Sequence, residues 1–179
     1  MGKIQFYGAT SLDGYLATSD DNIDWLTTLP NIPADTGQTV LSQMTSAIMG
    51  RVTYDYVTKL APDMPFNPAN PDMHNYVLTH QSRPSTPTVT FTSVGVLALA
   101  QRLQSGPGNI WVVGGQTILT PLLAANLIDD LYLQIAPIML GSGKRLFGEL
   151  AAPRQFELAV AHTIGPLAEL IYHKIQPKA

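Results

Sequence analysis

The chain has 179 residues, of which 45% are hydrophobic and 13% are charged, and its formal net charge is −3. This length and apolar content predict a single domain spanning residues 1–179, and the scattered lysines and arginines exclude the basic face that nucleic-acid-binding proteins carry. The absence of cysteine excludes disulfides and thiolate metal sites, and the 4 histidines lack the i, i+3 or i, i+4 spacing of metal ligands, so we predict no metal site.

The amino terminus begins with a strand pattern. Ile4, Phe6 and Gly8 alternate with more polar residues, which predicts a first strand that leads into a turn at Asp13 and Gly14. This pattern leaves no room for the apolar segment of a signal peptide. We therefore expect a cytoplasmic protein. The low charge without a basic face favours small soluble partners, and we expect no membrane binding.

Residues 18–37 form a loop rich in Asp, Asn, Thr and Pro that contains Trp25. A large aromatic residue in such a loop covers either the core or one wall of a pocket, and both interpretations remain open. Apolar residues with helical spacing follow the loop: Val40, Leu41, Met44 and Ala47. They predict a helix from about Asp35 or Thr36 to Thr45, with Asp35 near its start as a cap.

The same order of strand, glycine and helix start occurs twice in the chain. In the first unit, a strand over residues 47–49 ends at Gly50, and a helix opens at Arg51 and runs to about Leu60. Two such units in one parallel sheet are suited to hold the two ends of one dinucleotide, in which case Arg51 contacts the ligand. The alternative is that Arg51 is a solvated residue at a helix start.

In the second unit, an apolar strand over residues 110–113 stops at Gly114 and Gly115, and a helix over residues 117–126 follows. The glycines remove side chains where the strand turns, so a ligand can approach the backbone and the helix amides can face an anion. A nucleotide diphosphate can be bound in this way. A tight turn without a ligand is the alternative interpretation.

The remaining segments continue the alternation of strands and helices. Residues 76–79 predict a strand, and His80, Ser82 and Arg83 follow it with hydrogen-bond donors suited to a phosphate group. The other predicted elements are a strand over residues 89–91, a helix over residues 94–103, a strand over residues 130–139, and a terminal hairpin of residues 156–163 and 167–175.

A glycine-rich segment, Gly141-Ser142-Gly143-Lys144, is similar to a phosphate-binding P-loop. However, Ile138 stands in place of the first glycine of that motif, and Arg145 stands in place of the required Ser or Thr. The segment is therefore not assigned to phosphate binding by its sequence.

Five segments, in this order and spacing, resemble one known family. They are Thr10-Ser11-Leu12-Asp13-Gly14, Asp24-Trp25-Leu26, Met49-Gly50-Arg51-Val52-Thr53-Tyr54, Val112-Val113-Gly114-Gly115, and Leu131-Tyr132-Leu133 continuing through Gly141-Ser142-Gly143 to Leu146-Phe147. Over nearly its whole length the chain is similar to the dihydrofolate reductase superfamily, and specifically to bacterial proteins that resemble the carboxy-terminal reductase domain of the riboflavin-pathway deaminase/reductase. The resemblance implies an α/β fold of the dihydrofolate reductase type, with a mixed, mostly parallel sheet of about eight strands flanked by helices and a carboxy-terminal antiparallel hairpin.

The resemblance also implies NADPH as the cofactor. Ala9 would contact the nicotinamide amide through its backbone, and Gly14 and Trp25 would belong to a mobile loop over the nicotinamide. The phosphate contacts implied are Gly50, Arg51 and Thr53 in one turn, Thr79, His80, Ser82 and Arg83 around the 2′-phosphate, and Gly114, Gly115, Gln116 and Thr117 at the diphosphate. Cations and hydroxyl groups at strand ends suit a 2′-phosphate.

A reductase that acts on a C=N bond also needs a group that protonates the substrate nitrogen. In dihydrofolate reductase a carboxylate at the start of the first helix does this, and Asp35 is the residue nearest that place here, with Asp24 as the competing candidate. An exposed helix cap is the alternative role for Asp35. By the same resemblance, Asp35 and Gln134 would contact the substrate heterocycle.

The expected function is an NADPH-dependent reductase of a small pterin- or pyrimidine-like heterocycle, acting as a homodimer because relatives commonly pair. Val113 replaces the Glu that riboflavin-type reductases usually carry before the double glycine, and Gln116 replaces the third glycine typical of dihydrofolate reductases. The alternatives are reduction of the riboflavin-pathway ribosylaminopyrimidine phosphate and a non-catalytic NADPH-binding protein.

Overall fold

The computed structural model of the protein describes residues 1–175. Its strands are β1 (Ile4–Thr10), β2 (Tyr15–Ala17), β3 (Met44–Gly50), β4 (His74–Leu78), β5 (Val89–Thr92), β6 (Asn109–Gly114), β7 (Asp130–Ile135), β8 (Lys144–Arg145), β9 (Phe156–Ile164) and β10 (Leu167–Lys174). Its helices are α1 (Asp24–Thr27), α2 (Gln38–Leu41), α3 (Arg51–Leu60), α4 (Val96–Gln104) and α5 (Gln116–Ala124). Within residues 1–175, none of the helices has the length and apolar character that crossing a membrane requires.

Most of the strands form one 8-stranded sheet in the order β5-β4-β3-β6-β1-β7-β10-β9, and β2 pairs with β8 in a separate 2-stranded sheet. From β5 to β7 all neighbouring pairs are parallel, whereas β10 is antiparallel to both β7 and β9. The predicted fold class, with its carboxy-terminal hairpin, is confirmed. Because the carboxyl ends of parallel strands meet at one edge, Gly50 at the end of β3 and Gly114 at the end of β6 lie close together.

Hydrophobic cores cover both faces of the large sheet. Ile48 of β3 and Val112 of β6 pack with apolar residues of α4 and α5 in one core. Met49 of β3 and Trp111 of β6 belong to a second core. Successive residues of these strands therefore enter different cores, which explains why the central strands are apolar without alternation.

The helix predicted over residues 35–45 is wrong at both ends. α2 is much shorter than predicted, and β3 already begins at Met44. The Met44 side chain is fully buried in a core. Gly37 precedes α2 with a φ of +78° and lies against the Tyr7 hydroxyl, where a side chain would collide. The helix begins after this glycine, so Asp35 does not cap it.

The strand predicted to run to residue 139 ends at Ile135. Its neighbour β1 ends at Thr10, which pairs with Ile135 and accepts a last hydrogen bond from the Ala136 N–H at 2.8 Å. Pro137 also has no N–H to donate to a sheet. The chain therefore leaves the large sheet after Ile135.

Beyond β7 the chain turns towards the loop that follows β1. There the Asp13 carboxylate accepts hydrogen bonds from the Ser11 hydroxyl at 2.6 Å, the Leu140 N–H at 3.1 Å and the Gly141 N–H at 2.7 Å. These donors, led by Ser11, lower the pKa of Asp13 to about 2. This contact joins the loop between β1 and β2 to the segment that leads to β8. The sequence patterns did not indicate β2, β8 or α1.

A buried carboxylate, Asp130, ties three strands of the large sheet together. It accepts hydrogen bonds from Gln5 Nε2 on β1 at 2.6 Å, from Lys3 Nζ at 3.0 Å and from His173 Nδ1 on β10 at 2.7 Å. Burial alone would raise the pKa of Asp130, but the hydrogen bonds from Gln5, Lys3 and His173 outweigh it and hold this pKa below its usual value. The carboxylate therefore stays ionised in the interior.

Candidate active site

A cleft of about 1080 Å³ opens at the carboxyl-terminal ends of β3, β4 and β6. Its walls come from segments far apart in the sequence: residues 15–17 with Asp21, and residues 50–53, 78–81, 114–118 and 142–145. The first of these segments is β2 and the last includes β8, so the small sheet forms part of the wall. This volume lies slightly above the range of roughly 300–1,000 Å³ that is typical of ligand sites.

Most of the cofactor-binding residues predicted from the sequence line this cleft. They are Gly50, Arg51, Thr53, Thr79, His80, Gly114, Gly115, Gln116 and Thr117. The other predicted residues lie outside the lining: Ala9, Gly14, Trp25, Ser82 and Arg83. The parallel sheet thus brings the two strand, glycine and helix-start units to one cleft.

Gly114 and Gly115 form an open ledge at the end of β6. Their φ angles are +131° and +94°, a backbone conformation that residues with a Cβ rarely adopt. No atom of residues 1–175 lies within 4 Å of a Cβ built on Gly115, so the packing of this part of the chain leaves the position open. α5 begins directly after the ledge without a side-chain cap, so its first N–H groups are suited to bind an anion.

Arg51 and Arg83 are joined by one carboxylate, that of Asp55. One oxygen of Asp55 accepts a hydrogen bond from Arg51 Nη1 at 2.8 Å, and the other accepts one from Arg83 Nη1 at 2.6 Å. The hydrogen bond from Arg83, together with that from Arg51, holds the pKa of Asp55 below its usual value. Arg83 also lies over the Phe91 ring, 4.9 Å from its centroid. Arg83 is therefore held close to Arg51 although it does not line the cleft.

Lys144 and Arg145 of β8 bring further cations to the cleft. Lys144 forms an ion pair with Asp21, and the Arg145 guanidinium lies 4.8 Å from the centroid of the Tyr15 ring. These residues are not among the predicted site residues, because the glycine-rich segment before them lacks P-loop spacing. Two adjacent cations after such a segment were the available signal.

The residues predicted to surround the nicotinamide lie on β1, in the turn after it, and on α1. Ala9 pairs with Gln134 across β1 and β7, and the Gly14 carbonyl accepts a hydrogen bond from the Leu146 N–H. Trp25 is partly buried, and its Nε1 has no hydrogen-bond partner among residues 1–175. A buried donor without an acceptor is costly, so this N–H is suited to a bound ligand or a water molecule.

A second cavity of about 460 Å³ lies between residues 33–43 and the face formed by β7, β10 and β9, and it shares no lining residue with the cleft. Its polar lining residues are Asp35, Thr36, Thr39, Gln43, Tyr132, His162 and Glu169. Asp35 is exposed at the edge of this cavity. Asp24 is exposed on α1, lines neither cavity and accepts a hydrogen bond from Asn22 Nδ2 at 2.8 Å.

A row of hydrogen bonds crosses the sheet at the second cavity. Gln134 Nε2 donates to Tyr7 Oη at 2.9 Å and to Glu169 Oε1 at 3.1 Å, and Glu169 Oε2 lies 2.9 Å from His162 Nε2. Burial raises the pKa of Tyr7, which keeps its hydroxyl protonated at neutral pH. Gln134 is buried and lines neither cavity, whereas Glu169 and His162 line the second cavity. A carboxylate within the apolar pattern of β10 was the sequence signal for Glu169.

Comparisons of the sequence with known proteins agree with this architecture. The profile of the RibD C-terminal domain family matches residues 3–168. The uncharacterized protein YwjB of Bacillus subtilis (strain 168) is 33% identical over 173 residues, which cover 95% of this chain and 97% of YwjB. YyaP of the same strain is 25% identical over 92% of this chain and 91% of its own length.

Solved structures have the same fold. A protein from Shewanella sp. PV-4, named "Putative riboflavin biosynthesis protein", matches with a TM-score of 0.83 and 29% identity over 98% of this chain and 100% of its own. Acinetobacter baumannii RibD matches with a TM-score of 0.70 and 18% identity, and the matched region is 58% of that chain. The dihydrofolate reductase of Enterococcus faecalis, complexed with NADP(H), matches with a TM-score of 0.62 and 16% identity over 98% of both chains. The chain therefore belongs to the RibD C-terminal domain family and has a dihydrofolate reductase-like fold.

Proposed function

We propose that the protein is an NADPH-dependent reductase of a small planar nitrogen heterocycle of the pterin or pyrimidine type. The observation that carries this proposal is the open ledge of Gly114 and Gly115 in a large cleft that also gathers Arg51, Lys144 and Arg145. Such a cleft suits an elongated ligand with several phosphate groups. The choice of NADPH is supported by the Enterococcus faecalis dihydrofolate reductase, which has this fold and is complexed with NADP(H).

In this proposal the cleft residues hold the phosphates of the cofactor. Gly114 and Gly115, with the first N–H groups of α5, hold the diphosphate, and Ala9, Gly14 and Trp25 surround the nicotinamide. The other phosphate contacts are assigned to cleft residues Gly50, Arg51, Thr53, Thr79, His80, Gln116 and Thr117, and to Ser82 and Arg83, which lie outside the cleft lining. Bound NADPH supplies a hydride, and the part of the protein is to hold the nicotinamide at reacting distance from the substrate.

We place the substrate on β1, β7 and β10, between the nicotinamide residues and the second cavity. Ala9 pairs with Gln134, and Gln134 pairs with Glu169, so these residues form one row across three strands. Residues directly opposite each other on neighbouring strands share a face of the sheet. Neighbouring strands lie about 4.8 Å apart, so a row across three strands is about 10 Å long. A bicyclic heterocycle has about this length. Gln134 and Glu169 offer it amide and carboxylate groups for ring nitrogen atoms.

We assign substrate protonation to Asp35, which lines the second cavity. Replacing Asp35 with Asn should lower kcat by about a hundredfold and leave NADPH affinity unchanged, because a positioned acid contributes about 10²–10⁴-fold. Steady-state NADPH oxidation measures this effect. Asp63→Asn, in the exposed loop after α3, is the control for loss of one negative charge.

Asp24→Asn belongs in the same experiment, since Asp24 is the competing carboxylate. A loss of turnover in Asp24→Asn alone would transfer the protonating role to Asp24. Unchanged turnover in both variants would remove both carboxylates from the mechanism and leave Glu169 as the carboxylate of the second cavity.

Replacing Arg51 with alanine should weaken NADPH binding by about tenfold to a hundredfold and leave NADH binding nearly unchanged. The reason is that only NADPH carries the 2′-phosphate, and a hydrogen bond between charged groups contributes about 1.5–3 kcal/mol. Quenching of nucleotide fluorescence gives the Kd of both nucleotides. Lys59→Ala, exposed on the same helix, is the control. Equal losses for the two nucleotides would show that Arg51 does not contact the 2′-phosphate.

The second candidate function is reduction of the riboflavin-pathway ribosylaminopyrimidine phosphate. It is favoured by the family match over residues 3–168. The Thermotoga maritima deaminase and 5-amino-6-(5-phosphoribosylamino)uracil reductase also shares the fold, at a TM-score of 0.70 and 12% identity. Assays of NADPH oxidation with pterins, dihydrofolate and this pyrimidine phosphate separate the two candidates.

The same assays test whether the protein is an enzyme. NADPH binding without oxidation on any of these compounds would support a non-catalytic NADPH-binding protein. No binding and no rise in thermal stability at millimolar NADPH would contradict the proposed cofactor.

The homodimer implied by the resemblance stays a prediction. β9 is the outer strand of the large sheet, and it exposes Leu158 and Val160. Light scattering coupled to size exclusion gives the subunit number directly.

A further inference from the structure

The segment that fails as a P-loop forms one wall of the cofactor cleft. Residues 142–145 line the same cleft as Gly50, Arg51 and the ledge of Gly114 and Gly115. Sequence spacing excluded this segment from phosphate binding because its backbone cannot form a P-loop. The side chains of the segment do not depend on that spacing to reach the cleft.

The position of the segment is fixed by contacts with β2 and with the loop after β1. Tyr15 pairs with Arg145 and Ala17 pairs with Lys144 in the small antiparallel sheet. Gly143, at a φ of +145°, lies so close to the Ala17 carbonyl that a side chain there would collide. The Asp13 carboxylate also accepts hydrogen bonds from the N–H groups of Leu140 and Gly141, just before the segment. Together these contacts hold Lys144 and Arg145 in place.

The small sheet is also fixed to the diphosphate ledge. A Cβ built on Gly114 would lie 3.7 Å from Leu16 Cδ1 of β2. Just after β8, the Gly148 N–H donates to Thr120 Oγ1 of α5 at 2.9 Å, so β8 is tied to the helix that begins at the ledge. Lys144 and Arg145 therefore belong to the ledge side of the cleft. Arg51 belongs to the other group of cations, with Arg83 and Asp55.

The two cations differ in how they are held. Lys144 is paired with Asp21, which also lines the cleft. Arg145 forms no ion pair within residues 1–175, and its guanidinium lies over the Tyr15 ring. Stacking on an aromatic ring orients a guanidinium and leaves its N–H groups free to bind phosphate oxygens. Among residues 1–175, Asp21 is the one carboxylate in the lining, so this wall carries more positive than negative charge.

We infer that Lys144 and Arg145 bind the diphosphate of the nucleotide cofactor. This inference rests on the proposed function, to which it adds a third phosphate-contacting segment beside residues 50–53 and 114–117. The diphosphate lies between the backbone donors of the ledge and α5 on one side and the side chains of β8 on the other. The 2′-phosphate is left to Arg51.

The experiment measures the Kd of NADPH and NADH for Lys144→Gln and Arg145→Gln. Each variant should bind both nucleotides about tenfold more weakly, because both nucleotides contain the diphosphate. Arg51→Ala should weaken NADPH alone. Reduced nicotinamide mononucleotide, which lacks the diphosphate bridge, should lose less affinity in the β8 variants than NADH does.

Asp21→Asn is the matched control. It removes the same ion pair as Lys144→Gln but keeps the cation, and Asn tolerates the φ of +67° at this position. Its affinity for both nucleotides should equal or exceed that of the wild type. If Asp21→Asn loses as much affinity as Lys144→Gln, the effect comes from the lost ion pair and the inference is wrong.

The other outcomes are equally decisive. If the wild type binds NADPH, and both β8 variants bind NADPH and NADH as tightly as the wild type does, the inference is wrong and the proposed cofactor stands. A loss confined to NADPH would move these side chains to the 2′-phosphate and overturn the diphosphate assignment. If the wild type binds neither nucleotide, the proposed function fails first. Should Arg145→Gln not fold, Lys144→Gln carries the test, because the Lys144 side chain is 48% exposed.

Discussion

Replacing Gly115 with alanine should reduce NADPH affinity by about a hundredfold or more, because two hydrogen bonds to a charged phosphate together contribute about 3 kcal/mol or more. In the part of the chain that the structure describes, no atom lies within 4 Å of the position that the new Cβ would take. The methyl group would therefore occupy space that the proposed function assigns to the diphosphate. It would keep the phosphate away from the first N–H groups of α5.

The substitution has a second effect that a control must separate. Gly115 has a φ of +94°, so alanine there is strained, at a cost of about 1–3 kcal/mol in folding free energy. Gly141→Ala is the matched variant. The φ of Gly141 is +73°, no atom of the described residues lies within 4 Å of a Cβ built there, and the residue is outside the cleft lining. Both variants should unfold at lower temperature than the wild type, and only Gly115→Ala should lose the thermal shift that NADPH causes.

The result has a clear interpretation in either direction. Equal NADPH affinities of Gly115→Ala and Gly141→Ala would show that the ledge is a structural turn, which is the alternative left open by the sequence. A selective loss in Gly115→Ala would support the ledge as the diphosphate site. Titration by fluorescence quenching at constant ionic strength gives both affinities.

Replacing Asp130 with alanine should lower the free energy of unfolding by about 3 kcal/mol. The Asp130 side chain is 3% exposed, and it is the acceptor for the buried Gln5 Nε2. Gln5 Oε1 already lacks a partner among residues 1–175, so the substitution would leave both polar groups of this amide unpaired. Lys3 and His173 are half exposed, so water can replace the lost carboxylate for them and their share of the loss is small.

Urea denaturation measures this loss. Asp130→Asn should lose less than Asp130→Ala, because it keeps an acceptor oxygen for Gln5. Asp72→Ala, at an exposed position, should stay within about 0.5 kcal/mol of the wild type. If Asp130→Ala were as stable as Asp72→Ala, the hydrogen bonds of Asp130 would contribute no net stability.

The effect of Asp130 should depend on pH with a predictable sign. Its pKa in the folded state lies below the value of about 3.9 expected in the unfolded chain. A carboxyl with a lowered pKa stabilises the fold fully above about pH 4 and loses this contribution as the pH falls through its folded value. The difference in stability between the wild type and Asp130→Ala should therefore be constant near neutral pH and shrink in acid.

The order of strand, glycine and helix start was readable from the sequence at Gly50 and at Gly114. In both places an apolar strand stops at a glycine, and all the information lies within a few neighbouring residues. Because parallel strands align their carboxyl ends, the sequence also predicted that the two units meet. The structure confirms the fold and places most of the predicted cofactor residues in one cleft.

The short helix α2 and the end of β7 show where local patterns mislead. Met44 fits helical spacing, yet its place in β3 is decided by neighbouring strands that bury it. β7 stops where β1 stops, and nothing in residues 136–139 except Pro137 signals this. The length of a strand depends on its partner as well as on its own sequence.

The sequence by itself determined the fold class, the family resemblance and the glycine ledge, because each depends on periodicity and on residues close together in the chain. Only the tertiary structure decided that Lys144 and Arg145 line the same cleft as the ledge and that Glu169 meets Gln134. These contacts join strands remote in sequence, and their register is set by sheet pairing and burial, which no local pattern records.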